Sequence, residues 1–357
     1  MRNEKFVPSF GKGLIYTLAQ SETTNSAQLF AKPLIIVNGN GTELSNNQVL
    51  QNRARRKMIT QKMILSLIDV AKRKGEKKRE KAYWNTFHCQ SKIYSSGGKL
   101  FGKYCKNRFC TICLGIRKAE IMNKYLPIIK QWEQPYFTTL TAKAVPEKSL
   151  KKRVKDMQRG LRIIIDKYRK RHQRGKGIKL YGIKSIECNF NPMKRTYNPH
   201  IHLILPNKEI ADIITNEWLT ICTPLFASPL AQKSKPIENT EIALIEVVKY
   251  GSKIFTEQDV KNKSKQKKAP FIYASALDNI LWAMKDHRIF DRFGFDLPKS
   301  DNPKTIKSTP LDEYDEWQFD LINNDWVNSE TEQALSGYTL PYELRLLLSD
   351  NIDTDLE

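Results

Sequence analysis

Two β-prone runs, residues 178–190 and 198–205, flank the turn-forming stretch Asn191-Pro192-Met193-Lys194-Arg195, and a hairpin is the simplest structure they allow. In the second run, Pro199-His200-Ile201-His202-Leu203 alternates. Successive strand side chains point to opposite faces, so the two imidazoles share one face and Ile201 and Leu203 the other. Placing Glu187 opposite His200 or His202 centres the turn near residues 193–194, where the turn chemistry already lies. The hairpin thus joins two imidazoles and one carboxylate. Such a set, with coordination positions left open, suits a divalent ion that also holds a substrate phosphate, and Mg²⁺ or Mn²⁺ is expected at Glu187, His200 and His202.

The neighbouring segments supply a sheet and its cover. Tyr136-Phe137-Thr138-Thr139-Leu140-Thr141 is β-branched and aromatic, as a strand requires. Residues 147–171 carry Leu150, Val154, Met157, Leu161, Ile164, Ile165 and Tyr168 at helical spacing. The other faces of that helix are overwhelmingly basic, and Lys151, Lys152, Arg153, Lys155, Arg159 and Arg162 are expected to meet DNA phosphates. Helices are expected over 208–219 and 242–253, with a loop at 223–236 between them and a basic loop at 261–268. On the 242–253 helix, Glu246, Tyr250 and Lys253 recur at i, i+4 and i+7 and share a face. A tyrosine phenolate aligned by a metal against a phosphodiester can displace the 3′ oxygen and keep the bond energy as a phosphotyrosine, with Lys253 lowering the phenol's pKa or holding phosphate.

Charge names the partner class. The 357 residues hold 60 Lys+Arg against 38 Asp+Glu, a net +22, and an acidic polymer or surface is implied. Residues 308–357 contain 13 acids and one Arg, which leaves +34 on residues 1–307. Hydrophobic residues at 40% argue against wholesale disorder. No run approaches the ~20 apolar residues of a membrane helix, so a cytoplasmic protein without membrane contact is expected.

Cys105-x4-Cys110-x2-Cys113, preceded by His88-Cys89, places thiols in the tight loops that tetrahedral Zn²⁺ favours. Cys89 is the expected fourth ligand and His88 the alternate, while Cys188 and Cys222 stand alone as packing residues. Four consecutive segments follow: an N-terminal arm with a basic helix (1–81), a Cys-rich zinc module (82–118), a DNA-binding catalytic domain (119–300) and an acidic tail (301–357). Within the first, residues 53–81 read as one basic helix. In the last, Trp317, Phe319, Leu321 and Trp326 argue that the segment packs somewhere.

Four motifs in this order carry a resemblance: Tyr104-Cys105-Lys106-Asn107-Arg108-Phe109-Cys110-Thr111-Ile112-Cys113, then Phe137-Thr138-Thr139-Leu140-Thr141, then Pro199-His200-Ile201-His202, then Glu246-Val247-Val248-Lys249-Tyr250-Gly251-Ser252-Lys253. The chain resembles the replication initiators of rolling-circle plasmids, in the HUH endonuclease superfamily named for two His flanking a hydrophobic residue. The resemblance covers residues 89–295. It implies an α+β fold, a central antiparallel HUH-like sheet with packed helices, and a bacterial, plasmid-encoded single-strand endonuclease that nicks origin DNA. Tyr250 would keep the 5′ phosphate, the freed 3′ hydroxyl would prime synthesis, and Glu246 would activate water at termination. Lys253 matches the family's trailing Lys, and host helicase and DNA polymerase are the implied partners, with an oligomer compatible.

Two other readings use the same residues. A related HUH relaxase or transposase shares the nicking chemistry but moves DNA between molecules or loci. A non-enzymatic zinc-ribbon regulator would need only the Cys cluster and the basic body.

Overall fold

In a computed structural model of the chain, residues 32, 34–38, 41–222, 227–248, 272–298, 308–350 and 352–354 are described. They form an α+β protein of antiparallel sheets and packed helices, in two units that interleave along the sequence. One comprises residues 1–55, 90–104 and 300–339, the other 56–89, 105–299 and 340–357. This division differs from four consecutive segments. The reason lies in strand pairing, which joins distant stretches of chain.

In the first unit, β1 (Ile35–Asn38) pairs with β11 (Ser308–Leu311). β2 (Thr42–Glu43), β3 (Lys92–Ser96), β4 (Lys99–Gly102), β12 (Asp315–Asp320) and β13 (Asp325–Asn328) form a sheet in the order β13-β12-β3-β4-β2. The acidic segment therefore contributes two strands, β12 and β13, to this sheet. Trp326 is fully buried, its ring 5.0 Å from that of Phe319 and its indole N–H donating to the Gln90 carbonyl at 2.8 Å. Buried Asp325 accepts from the Ser336 amide (2.8 Å) and hydroxyl (2.9 Å), so this acid serves the local turn. Leu321, grouped with the aromatics in the sequence, lies exposed in the turn after β12.

The second unit contains most of α1 (Asn47–Arg73), then α2 (Lys77–Phe87), α3 (Thr111–Ile129), α4 (Glu147–Gln173), α5 (Lys208–Cys222), α6 (Thr240–Val248), α7 (Ala274–Ala283) and α8 (Tyr342–Asp350). The single helix expected over 53–81 is broken between α1 and α2. Gly75 takes a positive φ of 68° there, and the Lys74 ammonium turns to Asp278 (3.0 Å) and Asn279 (2.7 Å). α1 is packed as well as basic: Lys57, Met58, Met63, Ile64 and Leu67 are all buried.

Five strands of this unit run in the order β10 (Phe290–Phe293), β6 (Gly182–Asn191), β7 (Thr196–Leu205), β5 (Tyr136–Thr141), β8 (Lys233–Pro236). On one face Leu140, Ile186, Ile201 and Leu203 pack with Leu150, Val154, Met157, Leu161 and Ile164 of α4 and Trp218 of α5. Each fully buried aliphatic side chain contributes ~1.5–3 kcal/mol. On the opposite face Ile183 and Ile204 meet Ile121, Tyr125 and Ile129 of α3 and Leu244, Val247 and Val248 of α6. A short parallel pair, β9 (Ile272–Tyr273) with β14 (Ile352–Asp353), ties in the C-terminal stretch. Gly294, at φ 73°, turns the chain after β10, where any Cβ would collide with the Leu180 carbonyl. Among the described residues no helix is long and apolar enough to cross a membrane.

Candidate metal centre and its neighbours

The β6–β7 ladder pairs Glu187 with His200 and Ser185 with His202, and the β5–β7 ladder pairs Thr139 with His202. Period-two alternation then gathers these side chains on the face that α3 and α6 cover further along. Glu187 Oε2 lies 3.5 Å from Nε2 of His200 and 3.5 Å from Nε2 of His202. All three are buried, with relative exposures of 3%, 5% and 7%.

Two contacts behind the rings set their orientation. His200 Nδ1 lies 3.1 Å from the Asn198 carbonyl, which can only accept, so Nδ1 donates there and Nε2 is the ring nitrogen turned toward Glu187. His202 Nδ1 exchanges a hydrogen bond with the Thr139 hydroxyl at 3.0 Å. Outer hydrogen bonds of this kind hold metal-ligating imidazoles. His202 Nε2 and Ser185 Oγ are buried and make no hydrogen bond among the described residues. One donor atom from each of Glu187, His200 and His202 falls within 4.8 Å of the others, and two imidazole nitrogens converging beside a carboxylate fit a divalent cation.

Cys89, Cys105, Cys110 and Cys113 form a second cluster within the same 4.8 Å limit. Cys89 follows the His88 cap of α2 and donates its amide to the Thr86 carbonyl, Cys110 caps α3 and Cys113 lies in its first turn. The Cys113 sulfur stands 3.7 Å from those of Cys89 and Cys105. That is far beyond a disulfide bond, and close to the roughly 3.8 Å between ligands of a tetrahedral site with Zn–S near 2.3 Å. Cys89 rather than His88 completes the group; the His88 ring stacks on Trp84 at 5.9 Å. Hydrogen bonds from Cys105, Cys110 and Cys89 hold the Cys113 thiol well below its ordinary range, while those to Cys105 and Cys113 push Cys110 up. Buried Lys57 donates to the carbonyls of Phe87 and Cys89, each at 2.7 Å. Burial pushes its ammonium down to about 8, against the opposing pull of the Cys89, Cys110 and Cys105 sulfurs. The cysteines do not belong to one contiguous module, because residues 90–104 between them pair into the other unit's sheet.

Of the expected phosphate contacts, Lys151, Lys152, Lys155, Arg159 and Arg162 are exposed on α4, with Lys152 paired to Asp156 at 2.8 Å. Arg153 differs: it is buried and donates to the Lys143 carbonyl. Its position between Leu150, Val154 and Met157 puts it on the packed side of the helix, and burial lowers its pKa. Glu246 is half-buried on α6, whose Val247 and Val248 pack on the histidine-bearing face of the sheet. Tyr250, Lys253 and the basic loop 261–268 lie outside the described residues.

Sequence reasoning missed Thr139, Ser185 and Asn198. Their signal was strand parity, which emerges once both ladders of β7 are aligned. It also missed the fully buried Asp278, which accepts from Tyr83 (2.5 Å), Arg79 (2.6 Å) and Lys74 (3.0 Å).

The family model described as replication protein matches residues 100–211, a span that holds the last three cluster cysteines, β5 and the β6–β7 hairpin. A "Protein rep" of Staphylococcus aureus is 32% identical over 164 residues, covering 42% of this chain and 69% of that protein. Proteins of the same name from Bacillus amyloliquefaciens (29% over 110 residues) and a Bacillus species (26% over 178 residues) are matched over only 31% and 53% of their lengths. The chain belongs to the replication protein family, that of the rolling-circle plasmid replication initiators. No solved structure gives a significant match.

Proposed function

We propose that this initiator binds plasmid origin DNA and nicks one strand by metal-dependent tyrosine transesterification. The observation that carries the reading is the convergence of Glu187, His200 and His202 within 4.8 Å on the sheet face against which α6 packs. In this reading Glu187, His200 and His202 hold Mg²⁺ or Mn²⁺, which when bound supplies Lewis-acid polarisation of the scissile phosphate. The fold, with its two histidines on a central antiparallel strand, is compatible with an HUH-like architecture.

The remaining chemistry belongs to the chain. Tyr250 gives up its phenolic proton and attacks phosphorus; the P–O3′ bond breaks, a 5′-phosphotyrosine forms, and the departing 3′ oxygen leaves as a hydroxyl able to prime synthesis. Lys253 steadies phenolate or phosphate. Glu246 takes a proton from water when the phosphotyrosine is hydrolysed. The exposed cations of α4 position the strand through its phosphates, which binds without reading bases. Cys89, Cys105, Cys110 and Cys113 hold Zn²⁺ as a structural staple.

The test is to incubate the full chain with labelled single-stranded origin DNA and Mn²⁺, then locate the label by denaturing gel and peptide mass spectrometry. A metal-dependent adduct on Tyr250, lost in Tyr250→Phe, is expected. Cleavage without an adduct would replace the tyrosine mechanism by direct hydrolysis, and binding without cleavage by folded, metal-loaded protein would favour the regulator.

A further inference from the structure

On the sheet face opposite Glu187 lies a cavity of about 300 Å³. Lys184, Ser185 and Ile186 of β6 line it, while Glu187, His200 and His202 do not. Its apolar floor is Leu161, Ile186, Ile201 and Ile289, all buried. Arg162, Lys184 and Arg288 supply cations.

Two acids, Asp286 and Asp291, also line it. Asp291 lies 3.4 Å from Arg288 and stands opposite Lys184 in the β10–β6 ladder. Arg162 and Lys184 make no ion pair or hydrogen bond among the described residues. Lys184 is partly buried, and that burial lowers its pKa. The facing Asp291 works against that burial, and three cations against two acids leave the lining with a net positive charge for an incoming anion. The approach is basic too. On α4, Lys151, Lys155, Gln158 and Arg162 fall on one stripe, and His287 at the cavity feels Asp286 on one side and Arg108, Lys151 and Lys155 on the other.

An apolar floor beside an excess of cations over acids matches a nucleotide, with a hydrophobic flat base and an anionic phosphate. We propose that this cavity seats one unpaired nucleotide of single-stranded DNA, its phosphate on Arg162 and Lys184 and its base on Leu161, Ile186 and Ile289. This rests on the initiator reading and deepens it: the strand is anchored on one face of the sheet while the scissile phosphate lies on the other.

The test is fluorescence anisotropy of the full chain with a labelled oligothymidylate, without divalent metal, so its outcome is independent of adduct formation at Tyr250. Lys184→Gln and Arg162→Gln should each weaken binding about five- to tenfold and make the salt dependence shallower by about one ion. Lys130→Gln, an exposed control at the end of α3, should change affinity less than about twofold. An oligomer of abasic sites should bind wild type more weakly than oligothymidylate. Arg162 is exposed, so its variant answers the question even if Lys184→Gln unfolds. Folded variants that bind like Lys130→Gln would overturn the site. Equal binding of abasic and normal oligomers, or equal losses on a blunt duplex, would overturn the base seat.

Discussion

Glu187 sits directly opposite His200 across the β6–β7 ladder, with its Oε2 3.5 Å from the histidine Nε2. The same oxygen is 3.5 Å from Nε2 of His202, two residues along the strand. One register therefore makes the site, and a slip of a single residue would turn either the carboxylate or both imidazoles to the far face.

Removing one donor tests that arrangement. Glu187→Gln and His202→Ala should each weaken Mn²⁺ binding by at least about tenfold in titration calorimetry, and Thr139→Val should weaken it less because it only loosens His202. Unchanged Mn²⁺ affinity in folded Glu187→Gln would remove this cluster as the metal centre.

Glu246 is assigned to the second half of the reaction alone. Glu246→Gln should still form the Tyr250 adduct but hydrolyse it roughly 10²–10⁴-fold more slowly, read as adduct persisting on a denaturing gel. Loss of adduct formation itself would place Glu246 in the first step.

The four cysteines should hold one Zn²⁺ per chain by elemental analysis. A strong chelator, or Cys110→Ser, should remove it and lower the melting temperature. Thiolates are the ligands, so zinc retention should fall as pH drops and protons compete for sulfur. A purified chain that contains no zinc and is indifferent to chelator would make the cluster four buried thiols.

Asp278 joins α7 to Lys74, Arg79 and Tyr83 while fully buried. Asp278→Ala strands two cations and a phenol, and should cost about 3–5 kcal/mol in denaturant unfolding. A cost under about 1 kcal/mol would mean water replaces the carboxylate.

The exposed cations of α4 should act additively and without sequence preference. Each of Lys151→Gln, Lys155→Gln and Arg159→Gln should reduce the slope of log affinity against log salt by about one, equally on origin and unrelated DNA. Arg153→Gln should instead lower stability, because its guanidinium serves the Lys143 carbonyl.

Much of the site was legible because local chemistry specifies it. Strand parity put His200 and His202 on one face, and the turn residues 191–195 set the register that brings Glu187 to His200. The spacing of Cys105, Cys110 and Cys113 likewise contained its own geometry, and strand β5 spans Tyr136–Thr141 as its β-branched residues indicate. Helix α4 runs Glu147–Gln173 along its apolar stripe.

What periodicity could not reveal are relations between distant segments. The acidic stretch enters two units because Trp326 and Asp325 are buried in one, while Ile352 pairs beside Ile272 in the other. The basic helix breaks at Gly75 because Lys74 is drawn to Asp278, more than two hundred residues away. Arg153 falls on the packed side of α4 although its neighbours Lys151, Lys152 and Lys155 face water. The sequence by itself determined which side chains share a face, since that follows from backbone period. Only the tertiary structure decided which faces meet, since burial and long-range pairing depend on residues that no local pattern contains.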